Sequence, residues 1–478
     1  MAHPLTRSTL ASAPLIAFAG LLAGAAAVRS PQLAVAGTLL LLLYAVRNES
    51  RMLGLTLLWT YWLLTPILRR VVDLLSDAPG ADPLSVLPFL ATGLLALMEL
   101  RENRLGRTAR TVLLAATGAF LLGAPVGFVT APAAASFATF AYMAGLAAFV
   151  IGWGDRSRPG SGFTLQHVLL VALVPLSLYA IAQYLYPLTA WDDNWVVSSE
   201  LASLEAPQKD RIRAFSTLNS PFTFAITVAV GLLFAVSQRR RLSVSLLYMT
   251  PLVVALALTF VRSAWLALVV GVIVYAATVR GRAAGRTVGV VLAVLAAVVL
   301  FGSANETTNA FTERVVSLGD PESDVSTQSR LRTTGRLLPE SASRPLGAGL
   351  GQAGLVSELG ESVDSTVSEV DNGYVALFYQ SGPLALALLL IALWLSVRAA
   401  VRALRRAPPE ERSERAAILA VLVALLVAEA SADVLFGFPG VMFWYFCGVS
   451  VAGATGRPLP ARDRRQPINA GTEGLPAS

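Results

Sequence analysis

The stretch Pro221–Arg280, PFTFAITVAVGLLFAVSQRRRLSVSLLYMTPLVVALALTFVRSAWLALVVGVIVYAATVR, decides the fold class. It contains apolar runs over 221–237, 243–261 and 263–279, and an arginine triplet separates the first two. A helix rises about 1.5 Å per residue, so runs of this length approach the ~30 Å thickness of a bilayer core. Lipid offers no hydrogen-bond partners to backbone amides, and the runs are therefore predicted to be α-helices.

The same pattern extends over most of the chain. Further apolar windows lie at 10–28, 32–46, 53–68, 84–99, 111–128, 134–152, 165–187, 287–303, 373–397, 416–432 and 437–455. Hydrophobic residues make up 55% of the 478 residues and charged residues 14%, against roughly 25% charged residues in soluble domains. The sequence therefore predicts an all-α polytopic membrane protein with about 12–14 transmembrane helices.

The first window could also be mistaken for a cleaved signal. Arg7, an apolar stretch and the alanines Ala25–Ala27 imitate a secretory signal peptide. Another apolar run begins at Leu33 and many more follow. We therefore expect an uncleaved first span.

Arginine clusters between the windows predict the orientation, because cytoplasmic loops of membrane proteins carry an excess of basic residues. Counting spans puts these clusters on one side: Arg47/Arg51, Arg101/Arg104/Arg107/Arg110, Arg156/Arg158, Arg239/Arg240/Arg241, Arg280/Arg282/Arg286 and Arg398/Arg402/Arg405/Arg406/Arg412/Arg415. Arg69 and Arg70 fall on the other side, where Asp73, Asp77 and Asp82 are predicted to balance them. Since the basic residues serve orientation among membrane lipids, the net charge of +7 predicts no nucleic-acid partner.

The domain organisation follows from this topology. A transmembrane domain is predicted over residues 1–456 and a disordered cytoplasmic tail over 457–478, with both termini cytoplasmic. Two longer loops, at 188–220 and 304–372, are predicted on the outer side. The first contains WDDNW (Trp191–Trp195), which indicates order at the interface, and the second is long enough to carry short helices.

Two places with arginine could bind an anion at the outer surface. Arg211 and Arg213 precede the span at 221–237, where Asn219, Ser220 and Pro221 are typical of a helix start. Their alternative role is to anchor the chain at phospholipid headgroups.

Arg262 interrupts an otherwise apolar stretch between two spans that have almost no loop. A simple turn residue is the alternative for Arg262. Guanidinium groups pair bidentately with phosphate oxygens, so Arg213 and Arg262 would suit a diphosphate at headgroup level.

A third place lies at the end of the long loop. The run PLGAGLG (Pro345–Gly351) could let backbone amides approach an anion, although a tight turn is the commoner reason for such a run. Asp371 and Asn372 either cap the next helix or act as an acid or base above the membrane surface. Glu429 and Asp433, near the end of the window 416–432, are predicted to be solvated at a helix end, and acid–base work by paired carboxylates is the alternative.

The sequence predicts no metal site and no cofactor. His3 and His167 are the only histidines and Cys447 is the only cysteine. These residues do not form the spacings that zinc or haem sites require.

These segments resemble the O-antigen ligase and polymerase family of bacterial inner membranes. The resemblance rests on Arg213–Pro221, Thr259–Trp265, Ser329-Arg330, Pro345–Gly351, and Asp371–Tyr374 followed by Gly382 and Leu384. It implies a membrane fold of the C type and a metal-independent, inverting glycosyltransferase in the bacterial inner membrane. The donor would be a glycan on undecaprenyl diphosphate, and the acceptor a hydroxyl of another glycan or lipid-linked sugar.

The resemblance also assigns roles to particular residues. Arg213 and Arg262, with Arg211 beside them, would bind the diphosphate and stabilise its departing charge. The loop would contribute contacts from Arg330, Gly349, Gly351 and Tyr374. Asp371, with Asn372 next to it, stands where many ligases carry a histidine that acts as the base. A carboxyl has a reference pKa of about 3.9 against about 6.5 for histidine, but a carboxylate can still accept a proton. This departure favours a polymerase or a divergent ligase.

Other classes of protein share part of this pattern. A transporter or a flippase for lipid-linked oligosaccharides also has many spans, but transporters tend to show repeats and ionisable residues near the bilayer midplane. A different polyprenyl-dependent glycan polymerase and a non-enzymatic scaffold are further alternatives. The sugar, the linkage, the acceptor and the oligomeric state are not encoded in any motif found here.

Overall fold

A computed structural model describes residues 30–49, 51–76, 83–102, 104–157, 164–199, 204, 212–238, 242–279, 289, 325–354, 357, 370 and 372–455. The regular elements in these residues are helices, which confirms the prediction of an all-α protein. The tail 457–478, the window 10–28, the window 287–303 apart from residue 289, Arg211 and Asp371 lie outside the described residues.

The α-helices are α1 (Pro31–Tyr44), α2 (Arg51–Ser76), α3 (Leu87–Glu102), α4 (Arg107–Leu121), α5 (Ala124–Thr130), α6 (Pro132–Ser157), α7 (Thr164–Leu185), α8 (Ala190–Ser199), α9 (Pro221–Ser237), α10 (Leu242–Leu258), α11 (Arg262–Thr278), α12 (Val325–Ala342), α13 (Gly373–Arg405), α14 (Arg412–Glu429) and α15 (Gly437–Ala454). A π-helical turn, Ala45–Glu49, follows α1, and a 3-10 turn, Pro83–Val86, precedes α3.

Several helices have the length and apolar composition needed to cross a membrane. Among the described residues, six meet both conditions: Pro83–Glu102, Arg107–Thr130, Pro132–Ser157, Thr164–Leu185, Gly373–Arg405 and Gly437–Ala454. Shorter apolar helices lie at Gln32–Arg47, Pro221–Ser237, Ser243–Leu258 and Arg262–Thr278. The chain is therefore a polytopic membrane protein, while the total of 12–14 spans stays a prediction.

Some helices extend beyond the windows that hydropathy predicts. The window 53–68 belongs to α2, which continues to Ser76, and the window 373–397 belongs to α13, which continues to Arg405. Hydropathy marks the part of a helix that prefers lipid. Charged residues beyond that part can continue the backbone hydrogen-bond pattern of the same helix, so its end is not visible in the apolar run.

The two ends of the helical bundle differ in their polar contacts. At one end, which we call the arginine end, Arg51 pairs with Glu99 and Arg156 pairs with Glu411, the latter with 2.7 Å between Nη2 and Oε2. Arg415 also reaches Glu411, at 3.3 Å. Members of separate predicted cytoplasmic clusters therefore meet at one end.

The opposite end, which we call the loop end, holds residues 212–220 and the turn 259–261 between α10 and α11. Helix α8 lies in the predicted loop 188–220, where order is expected, and α12 lies in the predicted loop 304–372, where short helices are expected. The Leu337 side chain of α12 is 1% exposed and packs in a cluster with Val375 and Tyr379 of α13. Helix α12, within the described part of the second loop, is thereby attached to the bundle.

The centre of the bundle is formed where α6 packs against α15. A Cβ atom added at Gly152 or Gly448 would collide with the backbone of the other helix. Small residues allow this close approach of helices in membranes, where van der Waals packing drives association. The aromatic side chains of Trp444, Tyr445 and Phe446 are fully buried beside this contact.

Candidate functional site at the loop end

The segment 212–220 enters α9 through a tight turn. Ser216 has a φ of 55°, a left-handed conformation that residues with a side chain rarely adopt. Ser220 then caps α9, because its hydroxyl accepts a hydrogen bond from the Thr223 amide at 3.4 Å, and Pro221 occupies the first turn. The helix start predicted from Asn219, Ser220 and Pro221 is confirmed.

A second tight turn carries Arg262. Only residues 259–261 separate α10 from α11, and Arg262 is the first residue of α11. Phe260, in this turn, has a φ of 54° and is 3% exposed. Left-handed conformations of non-glycine residues tend to occur at functional sites, where the surrounding structure holds them in place.

The two turns are joined by a backbone hydrogen bond. The Ala214 amide donates to the Leu258 carbonyl at 3.1 Å, so the residue after Arg213 is bonded to the last residue of α10. Arg213 and Arg262 are both partly buried. The structure therefore brings together the two segments in which the sequence predicts diphosphate-binding arginines.

A buried polar cluster beneath the first turn has no counterpart among the sequence predictions. Arg70 of α2 forms an ion pair with Asp192 of α8, and the side chains of both residues are fully buried. Asp192 also accepts hydrogen bonds from the Tyr179 hydroxyl at 2.6 Å and from the Gln183 amide at 2.8 Å. We call these four residues the Arg70 cluster.

The partner of Arg70 corrects a prediction. Arg69 does pair with Asp73, at 3.5 Å, as expected from their spacing on one helix face. Arg70 instead points into the bundle and pairs with Asp192. Charge counting along the chain could not identify this partner, because α2 and α8 become neighbours only through folding. The sequence feature that could have indicated an acidic partner is the pair Asp192 and Asp193 between the tryptophans of WDDNW.

The glycine run folds against a break in α13. Gly382 interrupts this helix with φ 82° and ψ 179°. The Ala348 amide donates to the Tyr379 carbonyl at 2.8 Å, and the Gly349 amide donates to the Gln380 carbonyl at 3.0 Å. The Gly351 amide donates to the Gln380 side-chain oxygen at 2.6 Å.

These amides already have acceptors within the protein, and the same holds for the amides of Gly347 and Leu350. The run is therefore a packed turn, and the alternative that these amides approach an anion is not supported. Contacts of Gly349 and Gly351 with a substrate stay a prediction.

The start of α13 carries the last sequence motif. The Asn372 side chain accepts a hydrogen bond from the Val375 amide at 3.2 Å and so caps the helix. The Tyr374 hydroxyl donates to the Leu426 carbonyl of α14 at 3.0 Å. Arg330 lies within α12.

Glu429 and Asp433 differ from their prediction as solvated residues. Glu429 is 1% exposed, and its carboxylate accepts hydrogen bonds from the amides of Val434 and Leu435 at 2.6 and 3.0 Å. Asp433 is half-buried and accepts from the Tyr142 hydroxyl at 2.6 Å. Burial raises the pKa of Asp433 to about 6. The chain after α14 folds back over this helix end, which is why neither carboxylate is freely solvated.

Comparison with known families gives one match to this region. Residues 247–390 match a family model described as O-antigen ligase. The match contains Arg262, Arg330, the glycine run and Asn372–Tyr374, whereas Arg211 and Arg213 lie upstream of it. No curated protein matches the chain.

Proposed function

We propose that this chain acts as a member of the O-antigen ligase and polymerase family and transfers glycan from undecaprenyl diphosphate to a sugar hydroxyl. The match of residues 247–390 to the O-antigen ligase model supports this proposal. The family match supports glycan transfer of the O-antigen ligase or polymerase type in general. In this proposal undecaprenyl diphosphate is the glycan donor, and the reaction is inverting and independent of metal. It takes place at the outer face of a bacterial inner membrane. The type of enzyme proposed is a polymerase or divergent ligase.

The proposal of a lipid diphosphate as the donor rests on one contact. The hydrogen bond between the Ala214 amide and the Leu258 carbonyl holds the Arg213 segment beside the turn that leads to Arg262. Arginine side chains at membrane depth are costly unless they meet water or an anionic partner. A lipid-borne diphosphate brings its charges to this depth, and guanidinium groups bind phosphate oxygens with two parallel hydrogen bonds.

The chemistry then divides between two groups of residues. The acceptor hydroxyl oxygen attacks the anomeric carbon while the bond from that carbon to the diphosphate oxygen breaks. The electron pair of this bond leaves with the lipid diphosphate, where Arg213 and Arg262 stabilise the charge that develops. The hydroxyl proton passes to Asp371, which acts as the base. Attack from the opposite face inverts the anomeric centre.

The proposal predicts that neither arginine can be removed without loss of transfer. Arg213→Ala and Arg262→Ala should each reduce glycan transfer by about 100-fold or more, because each removes a preorganised charge from the leaving group. The measurement is the surface glycan of a deletion strain that expresses each variant at the level of the unmodified protein. A ladder replaced by single repeat units indicates a polymerase, and loss of all glycan from its anchor indicates a ligase.

Arg412→Ala is the matched control. Arg412 is also the first residue of a helix, and it is exposed at the arginine end. It should leave the glycan pattern unchanged. A normal pattern in both Arg213→Ala and Arg262→Ala would exclude a diphosphate site at these residues.

A further inference from the structure

We propose that Arg70, held by Asp192, is a positioning residue that fixes the Arg213 segment for binding of the donor diphosphate. This inference rests on the proposed function. It concerns residues of α2, α7 and α8, which lie outside the matched residues 247–390. Arg70 itself does not bind the substrate in this proposal, because its side chain is fully buried.

The first step is the contact between Arg70 and the turn. One nitrogen of the guanidinium, Nη1, pairs with Asp192, and the other, Nη2, donates to the Ser216 carbonyl at 2.8 Å. The guanidinium also lies over the Phe215 ring, with 4.9 Å between its central carbon and the ring centre. Arg70 therefore contacts two consecutive residues that follow Arg213 closely.

The second step is the restraint on Ser216 itself. Its amide donates to the Gln183 side-chain oxygen at 2.7 Å, and its hydroxyl donates to the Leu176 carbonyl at 2.7 Å. Its carbonyl accepts from Arg70 and, at 3.2 Å, from Gln183. Every polar group of Ser216 is thus bonded, which explains how a serine keeps a left-handed backbone.

The third step is the short connection to the arginines. Three residues of chain span at most about 10 Å, so Ser216 limits where Arg213 can lie. Ala214, between them, is bonded to Leu258 at 3.1 Å. A displacement of Ser216 would therefore change the position of Arg213 relative to the turn that carries Arg262.

The last observation is that Arg70 and Asp192 form a buried ion pair where apolar side chains could have packed instead. Apolar residues of similar volume often stabilise a protein as well as a buried pair does, so stability alone is a weak reason for such a pair. Arg70 offers a planar fork that can bond an acid and a carbonyl at once, which an apolar side chain cannot do. A role in orienting the turn at Ser216 explains why Arg70 bonds both Asp192 and the Ser216 carbonyl.

The experiment measures binding of farnesyl diphosphate, a short polyprenyl diphosphate, to the full chain in nanodiscs, with farnesyl monophosphate as the reference ligand. Arg70→Lys keeps the charge beside Asp192 but cannot keep both bonds of the fork. It should raise the Kd for the diphosphate by about tenfold while the amount bound at saturation stays constant. A purely structural role would instead lower the binding-competent fraction and leave the Kd of the remaining molecules unchanged.

Arg51→Lys is the matched control, because Arg51 lies on the same helix and pairs with Glu99 at the arginine end. Its Kd should equal that of the unmodified protein. Gln183→Met removes the Gln183 bonds to Ser216 and the one to Asp192 but keeps both charged members of the ion pair, and it decides the matter if Arg70→Lys does not fold. It should also raise the Kd for the diphosphate more than that for the monophosphate.

The outcomes separate this inference from the proposed function. Unchanged Kd values in Arg70→Lys and Gln183→Met, together with lost binding in Arg213→Ala and Arg262→Ala, would overturn the positioning role alone. Unchanged binding in Arg213→Ala and Arg262→Ala as well would overturn the diphosphate site.

Discussion

At the scale of single residues, Asn372 caps α13, whereas the task proposed for the neighbouring Asp371 is that of the base. Asn372 provides the cap, because its side chain accepts the Val375 amide hydrogen bond. A side-chain cap typically stabilises a helix by about 0.5–2 kcal/mol. A catalytic base contributes more to the rate, about 100- to 10,000-fold. The two effects can therefore be distinguished by their size and by the property that they change.

We predict that Asp371→Ala and Asp371→Asn lose transfer activity, while Asp371→His and Asp371→Glu retain part of it. Asparagine keeps the shape of the side chain but cannot accept a proton at neutral pH. The loss should be about 100-fold or more, as expected for a missing base. Activity is measured as glycan formed per amount of protein in membranes.

Asn372→Ser is the control for capping, since serine can also accept the Val375 amide hydrogen bond. It should retain the thermal stability of the unmodified protein. Full activity of Asp371→Asn would show that the carboxylate is not the base.

At the scale of elements, the glycine run and the broken helix α13 form one packed unit. Gly349 has a φ of 119° and Gly351 a φ of 85°, both in the left-handed region. A Cβ at Gly351 would lie 2.6 Å from the backbone carbonyl carbon of Ala134 in α6. The run can therefore seat against α13, α5 and α6 only without side chains at these positions.

We predict that Gly351→Ala is strongly destabilising and Gly354→Ala is mildly so. Gly354 also has a positive φ, 73°, but a Cβ there would meet no atom within 4 Å. Gly354→Ala should cost about 1–2 kcal/mol for the left-handed backbone. Gly351→Ala should cost more, because it adds a collision with backbone that cannot move aside cheaply.

The measurement is the thermal unfolding of both variants in detergent at one protein concentration. Gly349→Ala should resemble Gly351→Ala, since its Cβ would lie 2.8 Å from the Gly127 amide nitrogen. Equal unfolding temperatures for Gly351→Ala and Gly354→Ala would contradict the packing argument.

At the scale of the whole molecule, the bundle has two ends of different character. Paired arginines occupy the arginine end, and the strained turns with Arg213 and Arg262 occupy the loop end. Because basic loops favour the cytoplasm, this asymmetry predicts that the loop end faces the outside. A donor presented at the outer leaflet would then reach the site directly.

We predict that cysteine labelling places the two ends on opposite sides of the membrane. Asp193→Cys, exposed on α8, should react with an impermeant maleimide in right-side-out vesicles. Arg412→Cys, exposed at the arginine end, should react only after the vesicles are opened. Cys447 is buried and serves as the internal control, since it should react only after unfolding. Labelling of Arg412→Cys in sealed vesicles would contradict the predicted orientation.

The sequence by itself determined the helical class, the place of Arg262 between two spans, and the helix starts at Ser220 and Asn372. These features depend on local hydropathy and on contacts within one helical turn. A short stretch of sequence is therefore enough to predict them. The role of Asp371, which lies outside the described residues, stays a prediction from sequence alone.

Only the tertiary structure decided which polar groups meet. Arg70 and Asp192 are 122 residues apart along the chain. The amides of Ala348, Gly349 and Gly351 find their acceptors on Tyr379 and Gln380 of α13. Each of these contacts joins groups whose distance is set by how helices pack across the bundle. Hydropathy and charge counts indicate which residues enter the membrane, but they do not show which helices pack against each other.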